Sequence, residues 1–455
     1  MPKEELKVSQ HVLYRDPTKE YPKVARGKGI YLYDQNGKEY IDGSCGPMVA
    51  NIGHGVEEVI HAMIEQAKNV CFVSRVQFTS DAKIDLAEKI VGFTPNGLSM
   101  VAFSNSGAEA SEIALKMARQ FHIETGNSSK FKVVARWQSY HGNTIGALSM
   151  VGHPIWRKNF IPYLLNFPHI VAPYCYRCPF GKEYANCDID CAKELERVIK
   201  QEGPETISAF ISEPISGASS GGVVPPPEYF KIIRSICHEY NVLMISDEVI
   251  TGFGRTGKNF GIDHWNVTPD IIITGKGISS GYTPLSAVII HEKMYEVFKT
   301  SIDEKRSSME GFLYGSTYSG NPLSCSVGVA VLKYIEKHHL VKRAEDMGLY
   351  LFQKMDALKN LKTVGDIRGK GLFAGIEFVS DKREKTPFRS EAQFYKKVGS
   401  AAFEMGLITY PGHGGIDGYL GDHIIIAPPL IVTERDIDKM VSILERAIIC
   451  VEEES

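Results

Sequence analysis

The sequence predicts an α/β protein. One large domain surrounds a mostly parallel central sheet, and a smaller α+β domain is assembled from the N- and C-terminal segments. Three observations carry this. Apolar runs of four or five residues alternate with segments of helical spacing. Three of those runs end at an ionisable residue: Glu213, Asp247 and Lys276. After about residue 330 a long helical stretch leads into a glycine-containing strand. Strands separated by helices imply a parallel sheet covered on both faces. The expected partition is residues 1–70 for the N-terminal part of the small domain, 71–330 for the large domain, and 331–455 for the C-terminal small domain.

The elements follow in order. Residues 29–33 and 38–41 read as two short strands across an Asn36-Gly37 turn. Val59, Ala62, Met63, Gln66 and Ala67 have helical spacing. Residues 81–91 form a second helix, with Ile84, Leu86, Ala87 and Ile90 on one face. Residues 100–103 read as a short buried strand. Residues 108–124 form a helix through Ile113, Ala114, Met117, Ala118 and Phe121, stopped by Gly126. Strands follow at 131–135, 207–211, 242–246 and 270–274. Residues 323–339, continuing to 358, read as one long helical stretch. Residues 371–378 begin the smaller domain.

Composition narrows the function. Lys and Arg total 51 and Asp and Glu total 54, a formal charge of −3 over 455 residues. That excludes a general nucleic-acid binder, which needs a dense basic surface. No apolar run approaches the roughly 20 residues that span a bilayer. The N-terminus is polar and lacks a secretory core. The chain is therefore expected to be cytoplasmic, with no membrane partner.

The polar residues fall where ligands of open α/β sheets bind, past the carboxyl ends of strands. Glu213, Asp247 and Lys276 occupy three such ends. Ser106, Gly107 and Ala108 lie between a strand and a helix, where backbone N–H groups and the helix dipole suit a phosphate. Tyr140 follows the next strand and has the flat face to cover a ring. Lys276 stands between two glycines after three isoleucines, and an apolar wall lowers an amine's pKa. A phosphate cradle, a stacking aromatic, a strand-end Asp and a strand-end Lys together describe pyridoxal phosphate. Lys276 would form its Schiff base. Asp247 would hold the pyridine nitrogen protonated, so that the ring acts as an electron sink.

These residues lie in a series of ordered motifs: Gly29-Ile-Tyr-Leu-Tyr-Asp34, Ser106-Gly107-Ala108-Glu109-Ala110, Tyr140-His141-Gly142, Glu213-Pro214, Asp247-Glu248-Val249 through Gly252-Phe253-Gly254-Arg255-Thr256-Gly257, Thr274-Gly275-Lys276-Gly277, and Thr317-Tyr318-Ser319-Gly320-Asn321-Pro322. The chain resembles, over nearly its whole length, the class III or ω-amino acid aminotransferases, fold-type I pyridoxal-phosphate enzymes. The resemblance implies a homodimer with shared active sites, with a tetramer as the alternative. It implies an amine donor, a keto-acid acceptor and a ping-pong cycle. It places Val249 on the ring face opposite Tyr140, His141 and Glu213 beside the cofactor, and Thr317 at the phosphate of the neighbouring subunit. A related alternative is an aminomutase, racemase or decarboxylase on the same fold. A third is a non-catalytic metal-binding or regulatory protein.

The sequence departs from part of that family. Many members carry an Arg in Arg-x-x-Pro-Pro near the C-terminus, where it binds an α-carboxylate and pairs with the strand-end Glu. Here Ile425 occupies that position, which leaves Glu213 without the partner. Tyr282-Thr-Pro-Leu-Ser286 and Gly421-Asp422-His423 resemble the amine:pyruvate branch, so pyruvate is the expected acceptor. The mobile Arg of that branch is absent from residues 410–420. Arg75, His413 or backbone donors of that loop are candidates to hold a carboxylate.

Two further patterns stand apart. Gly252 to Lys258 reads as a phosphate-loop motif, but Asn259 replaces the Ser or Thr that would hold magnesium. Cys175-x2-Cys178 and Cys187-x3-Cys191 form a compact four-thiol set with reasonable spacing for structural zinc, against the plain reading of four reduced cysteines. No metal is expected in the catalytic site.

Overall fold

A computed structural model of the chain describes residues 11–304 and 314–454. Strands β1 (Val24–Lys28), β2 (Tyr31–Asp34) and β3 (Glu39–Asp42) form an antiparallel meander, with the Asn36-Gly37 turn between β2 and β3. A helix over Glu57–Asn69 follows.

The central sheet contains β4 (Leu98–Ser104), β5 (Lys132–Arg136), β6 (His169–Ile170), β7 (Ile207–Ser212), β8 (Leu243–Asp247), β9 (Ile271–Thr274) and β10 (Ser286–His291). Their spatial order is β4-β10-β9-β8-β7-β5-β6. The run from β9 to β6 is parallel. β10 is antiparallel to both β9 and β4 and is absent from the sequence reading. It returns directly from β9 without a helical crossover, which only an antiparallel strand can do over so short a connection.

Alternate residues of these strands serve opposite faces. Ala209, Ile211, Ile245, Ile271 and Ile273 pack with Ile113, Met117 and Ala118 of the Gly107–Glu124 helix. Phe210, Met244, Ile272 and Ile289 belong to the larger core on the other face, against the Asp190–Glu202 and Tyr229–Glu239 helices. Both faces are covered, so the strands read as unbroken apolar runs. The 100–103 strand is less buried than expected. β4 is the sheet edge, and Met100, Val101 and Ala102 are only half-buried.

The long helical stretch is two helices, Pro322–Lys337 and Leu340–Met355, followed by a 3-10 turn over Asp356–Asn360. His339 breaks them with φ 50°. No glycine or proline marks that break in the sequence. Beyond it lie β11 (Val364–Lys370), β12 (Phe373–Phe378), β13 (Leu407–Ile408), β14 (Tyr410–Gly412) and β15 (Asp422–Ile426). Four of these form a separate sheet ordered β11-β12-β15-β14. β13 instead pairs in parallel with β3, so the two ends of the chain share a sheet. Among the described residues, no helix is long and apolar enough to cross a membrane.

Candidate active site

Adjacent parallel strands β7, β8 and β9 end at the same level. Ser212 pairs with Ser246, and Asp247 pairs with Ile273. That register carries Glu213, Asp247 and Lys276 to one edge of the sheet.

Asp247 is buried, and its Oδ2 lies 2.7 Å from His141 Nδ1. Its Oδ1 accepts the Val249 N–H at 3.1 Å. A carboxylate oxygen accepts here, so Nδ1 is the donor of this contact. The two contacts fix the carboxylate from both sides.

Glu213 is also buried, and burial raises its carboxyl pKa. Its Oε2 accepts the Tyr140 N–H at 3.1 Å, and its Oε1 accepts the Gly217 N–H at 2.9 Å. The carboxylate without an arginine thus has two backbone donors. Arg136, fully buried, donates to the Glu213 carbonyl. Ile425 lies within the packed core of β15.

Lys276 follows β9 with φ 44°, a left-handed backbone that a lysine seldom adopts. Its amine makes no hydrogen bond or ion pair among the described residues. Desolvation lowers its pKa to about 8, against the opposing pull of Asp247 and Glu213. A neutral amine is thereby accessible near physiological pH.

The helix Gly107–Glu124 begins beside this lysine. Ser106 caps it, its Oγ accepting the Glu109 N–H at 3.2 Å. The first amides, at Gly107 and Ala108, have no carbonyl a turn behind them and are open to an anion. Ser286 Oγ supports the cap by donating to the Ser106 carbonyl at 2.8 Å. Gly142 adopts φ +132°, and a Cβ there would meet the Ala108 Cβ at 2.6 Å. Val249 touches both neighbours of the site: a Cβ on Gly107 would lie 3.0 Å from its methyls, and one on Gly275 would lie 3.3 Å away.

Tyr140 completes the wall. Its ring meets Trp156 edge-on at 5.1 Å, and Trp156 stacks on His153 at 4.1 Å. His153 Nε2 lies 3.2 Å from the His413 carbonyl. This aromatic series joins the Tyr140 turn to the 410–420 loop. Nothing in the sequence flagged His153 or Gly217, and Ser286 stood out only as the end of the Tyr282–Ser286 motif.

Thr317 stands apart. It is exposed on the turn after Ser316 and makes no hydrogen bond among the described residues. Arg75 holds the start of that loop, donating to the Tyr314 carbonyl at 2.7 Å and the Gly315 carbonyl at 3.3 Å. Its guanidinium is therefore engaged with backbone. The phosphate-loop reading of Gly252 to Lys258 fails on context. A 3-10 turn follows it, over Gly261–Trp265, where a phosphate loop needs a helix. Arg255 of that block is buried and donates to Pro428, Leu372 and Asn51.

The set fits pyridoxal phosphate. An unpaired lysine amine, an oriented buried carboxylate, open helix amides and a half-exposed aromatic ring converge at one edge of the sheet.

The chain matches the family model Aminotransferase class-III over residues 15–448. It is 38% identical to an uncharacterized aminotransferase, YodT, of Bacillus subtilis over 98% of this chain and 99% of that one. It is 36% identical to the diaminobutyrate–2-oxoglutarate transaminase of Halomonas elongata, over 93% and 89% of the two chains. Among solved structures, an (S)-enantioselective ω-transaminase from Thermomicrobium roseum matches with TM-score 0.88 and 36% identity, covering 95% of this chain and 93% of that one. The ω-transaminase of Pseudomonas jessenii in complex with PMP matches with TM-score 0.89 and 34% identity, covering 95% and 93%.

Proposed function

The chain belongs to the class-III aminotransferases, which use pyridoxal phosphate, and on that premise we propose that it moves an amino group from an ω-amino acid or amine to pyruvate in a ping-pong cycle. The observation that carries this reading is the pairing of a carboxylate fixed by His141 with an amine left free at Lys276. When bound, the cofactor supplies an electron sink for the substrate's α-electrons. Ser106, Gly107 and Ala108 would hold its phosphate, Tyr140 and Val249 its two faces, and Asp247 its ring nitrogen. Lys276, neutral above about pH 8, would take and return the substrate's proton.

The choice of pyruvate rests on Glu213. Its oxygens are taken by the amides of Tyr140 and Gly217. Ile425 offers no cation, and Arg75 is engaged with backbone carbonyls. Neither of these two positions supplies a cation for a second acceptor carboxylate, which speaks against 2-oxoglutarate. The working unit in this reading is a cytoplasmic homodimer. Phe72, Val76, Phe78 and Tyr318 are exposed, and a partner at the β4 edge would cover them. Such a partner would also give Thr317 its phosphate. The partition at residues 70 and 330 belongs to the same reading.

The test is the visible absorption spectrum of the holoenzyme with a panel of amines, followed by pyruvate or 2-oxoglutarate. One amine should bleach the cofactor band and pyruvate should restore it. Restoration by 2-oxoglutarate alone overturns the acceptor. Turnover without any keto acid overturns transamination in favour of a mutase, racemase or decarboxylase.

A further inference from the structure

Cys175, Cys178, Cys187 and Cys191 take no part in the site above, yet all four line one small cavity, together with Tyr174, Phe180 and Pro226. All four are free thiols. The segment that carries them has little regular structure, only 3-10 turns over Cys175–Arg177 and Tyr184–Asn186.

The second pair is set by a strained residue. Ile189, just before the Asp190–Glu202 helix, has φ 54° and ψ 46°, with its side chain buried. A β-branched residue in this region is a true outlier, and it persists only where its surroundings impose it. Here it turns the chain so that Cys187 and Cys191 face the cavity reached by Cys175 and Cys178. Four thiols around one cavity become ligands when a cation displaces their protons.

We propose that Cys175, Cys178, Cys187 and Cys191 bind one structural zinc ion. Zinc favours four thiolates in a tetrahedron, and four protein ligands leave no open position for chemistry. On binding, four S–H bonds give way to four Zn–S bonds, and the protons pass to solvent. The ligands are not pre-assembled among the described residues, and Cys187 Sγ is turned to the Tyr184 carbonyl at 3.5 Å. Binding in this proposal requires the thiols to rotate toward the shared cavity.

The cluster sits on a clasp. Arg177 Nε lies 2.5 Å from Glu377 Oε1 of β12. The Arg368 guanidinium of β11 covers the Tyr174 ring at 4.8 Å. Lys385 donates to the Tyr176 carbonyl at 3.0 Å. A metal here would fasten the C-terminal sheet to the large domain.

The test is elemental analysis of holoenzyme purified without chelator, with cobalt substitution as a second probe. One zinc per chain is expected, and the cobalt form should show thiolate-to-metal absorption. The double variant Cys175→Ser/Cys178→Ser should lose the zinc and keep the cofactor band. Should that variant fail to fold, stripping wild-type zinc with a chelator should lower Tm, and returning zinc should restore it. Metal at background with four titratable thiols overturns the proposal. So does the mass loss of two disulfides, or zinc retained by the double variant.

Discussion

His141 Nδ1 and Asp247 Oδ2 lie 2.7 Å apart, and both side chains are buried. The imidazole holds the carboxylate in one orientation. Asp247→Asn keeps the shape and removes the charge. Activity should fall by about 10³-fold, within the range of proton-transfer contributions, while the protein still binds cofactor. His141→Gln acts only through Asp247 and should cost about tenfold, with a displaced pH profile of kcat. Steady-state kinetics across pH measure both.

Lys276 gives a pH signature. Its amine titrates near 8 in the folded chain, against an ordinary 10.5. Only the neutral amine attacks a carbonyl, so covalent capture of pyridoxal phosphate by apoenzyme should quicken about tenfold per pH unit below 8 and level off above. The folded state sheds this proton first. Between 8 and 10.5 the unfolded chain therefore binds more protons, and stability rises with pH. At pH 7 the buried charge is a cost. Lys276→Met should abolish activity yet stabilise the apoprotein by roughly 3 kcal/mol, a gain that vanishes above pH 10.5. Urea unfolding at pH 7 and 10.5 checks it.

The strand ends were legible because chemistry and strand boundary coincide within a few residues, as at Asp247 and Lys276. The cap at Ser106 was legible for the same reason. Other features depend on contacts far apart in sequence. The two amides that satisfy Glu213 come from Tyr140 and Gly217, and no motif announces a backbone donor. β10 escaped because the Tyr282–Ser286 motif that leads into it stands out for its family likeness and not for strand periodicity. The break at His339 escaped because a non-glycine residue takes the left-handed turn. The Trp156–His153 stack joins residues that each look ordinary alone.

Arg75 tests the Thr317 loop. Its guanidinium grips the Tyr314 and Gly315 carbonyls at 2.7 and 3.3 Å. Arg75→Ala should free the loop and weaken cofactor retention by about tenfold, one charged hydrogen bond's worth. The pyruvate KM should change little. Cofactor titration and pyruvate kinetics separate the two, and an unchanged cofactor affinity with a raised KM would reverse the assignment.

Gly142 tests the cradle. With φ +132° and a Cβ position 2.6 Å from Ala108 Cβ, it has no room for a side chain. Gly142→Ala must push the Tyr140–Gly142 turn away from the helix start. Cofactor should bind more weakly and Tm of the holoenzyme should fall, since strain of this kind costs about 1–3 kcal/mol. Gly126→Ala, at an open helix end with nothing near its Cβ, is the control for backbone strain without a cradle.

Trp156 connects Tyr140, through His153, to the 410–420 loop. Its edge-on contact with Tyr140 at 5.1 Å and its stack on His153 at 4.1 Å hold the three rings as one surface. An aromatic pair of this kind contributes about 0.5–1.5 kcal/mol beyond burial. Trp156→Leu removes both contacts and opens space between Tyr140 and the 410–420 loop. Cofactor retention should fall a few-fold as Tyr140 loosens. The larger effect should be on the donor. A bulky aryl amine should gain about tenfold in kcat/KM relative to β-alanine, because pocket volume on this scale is worth about 1–3 kcal/mol. If both donors instead lose activity equally, Trp156 only positions Tyr140, and the donor pocket lies elsewhere.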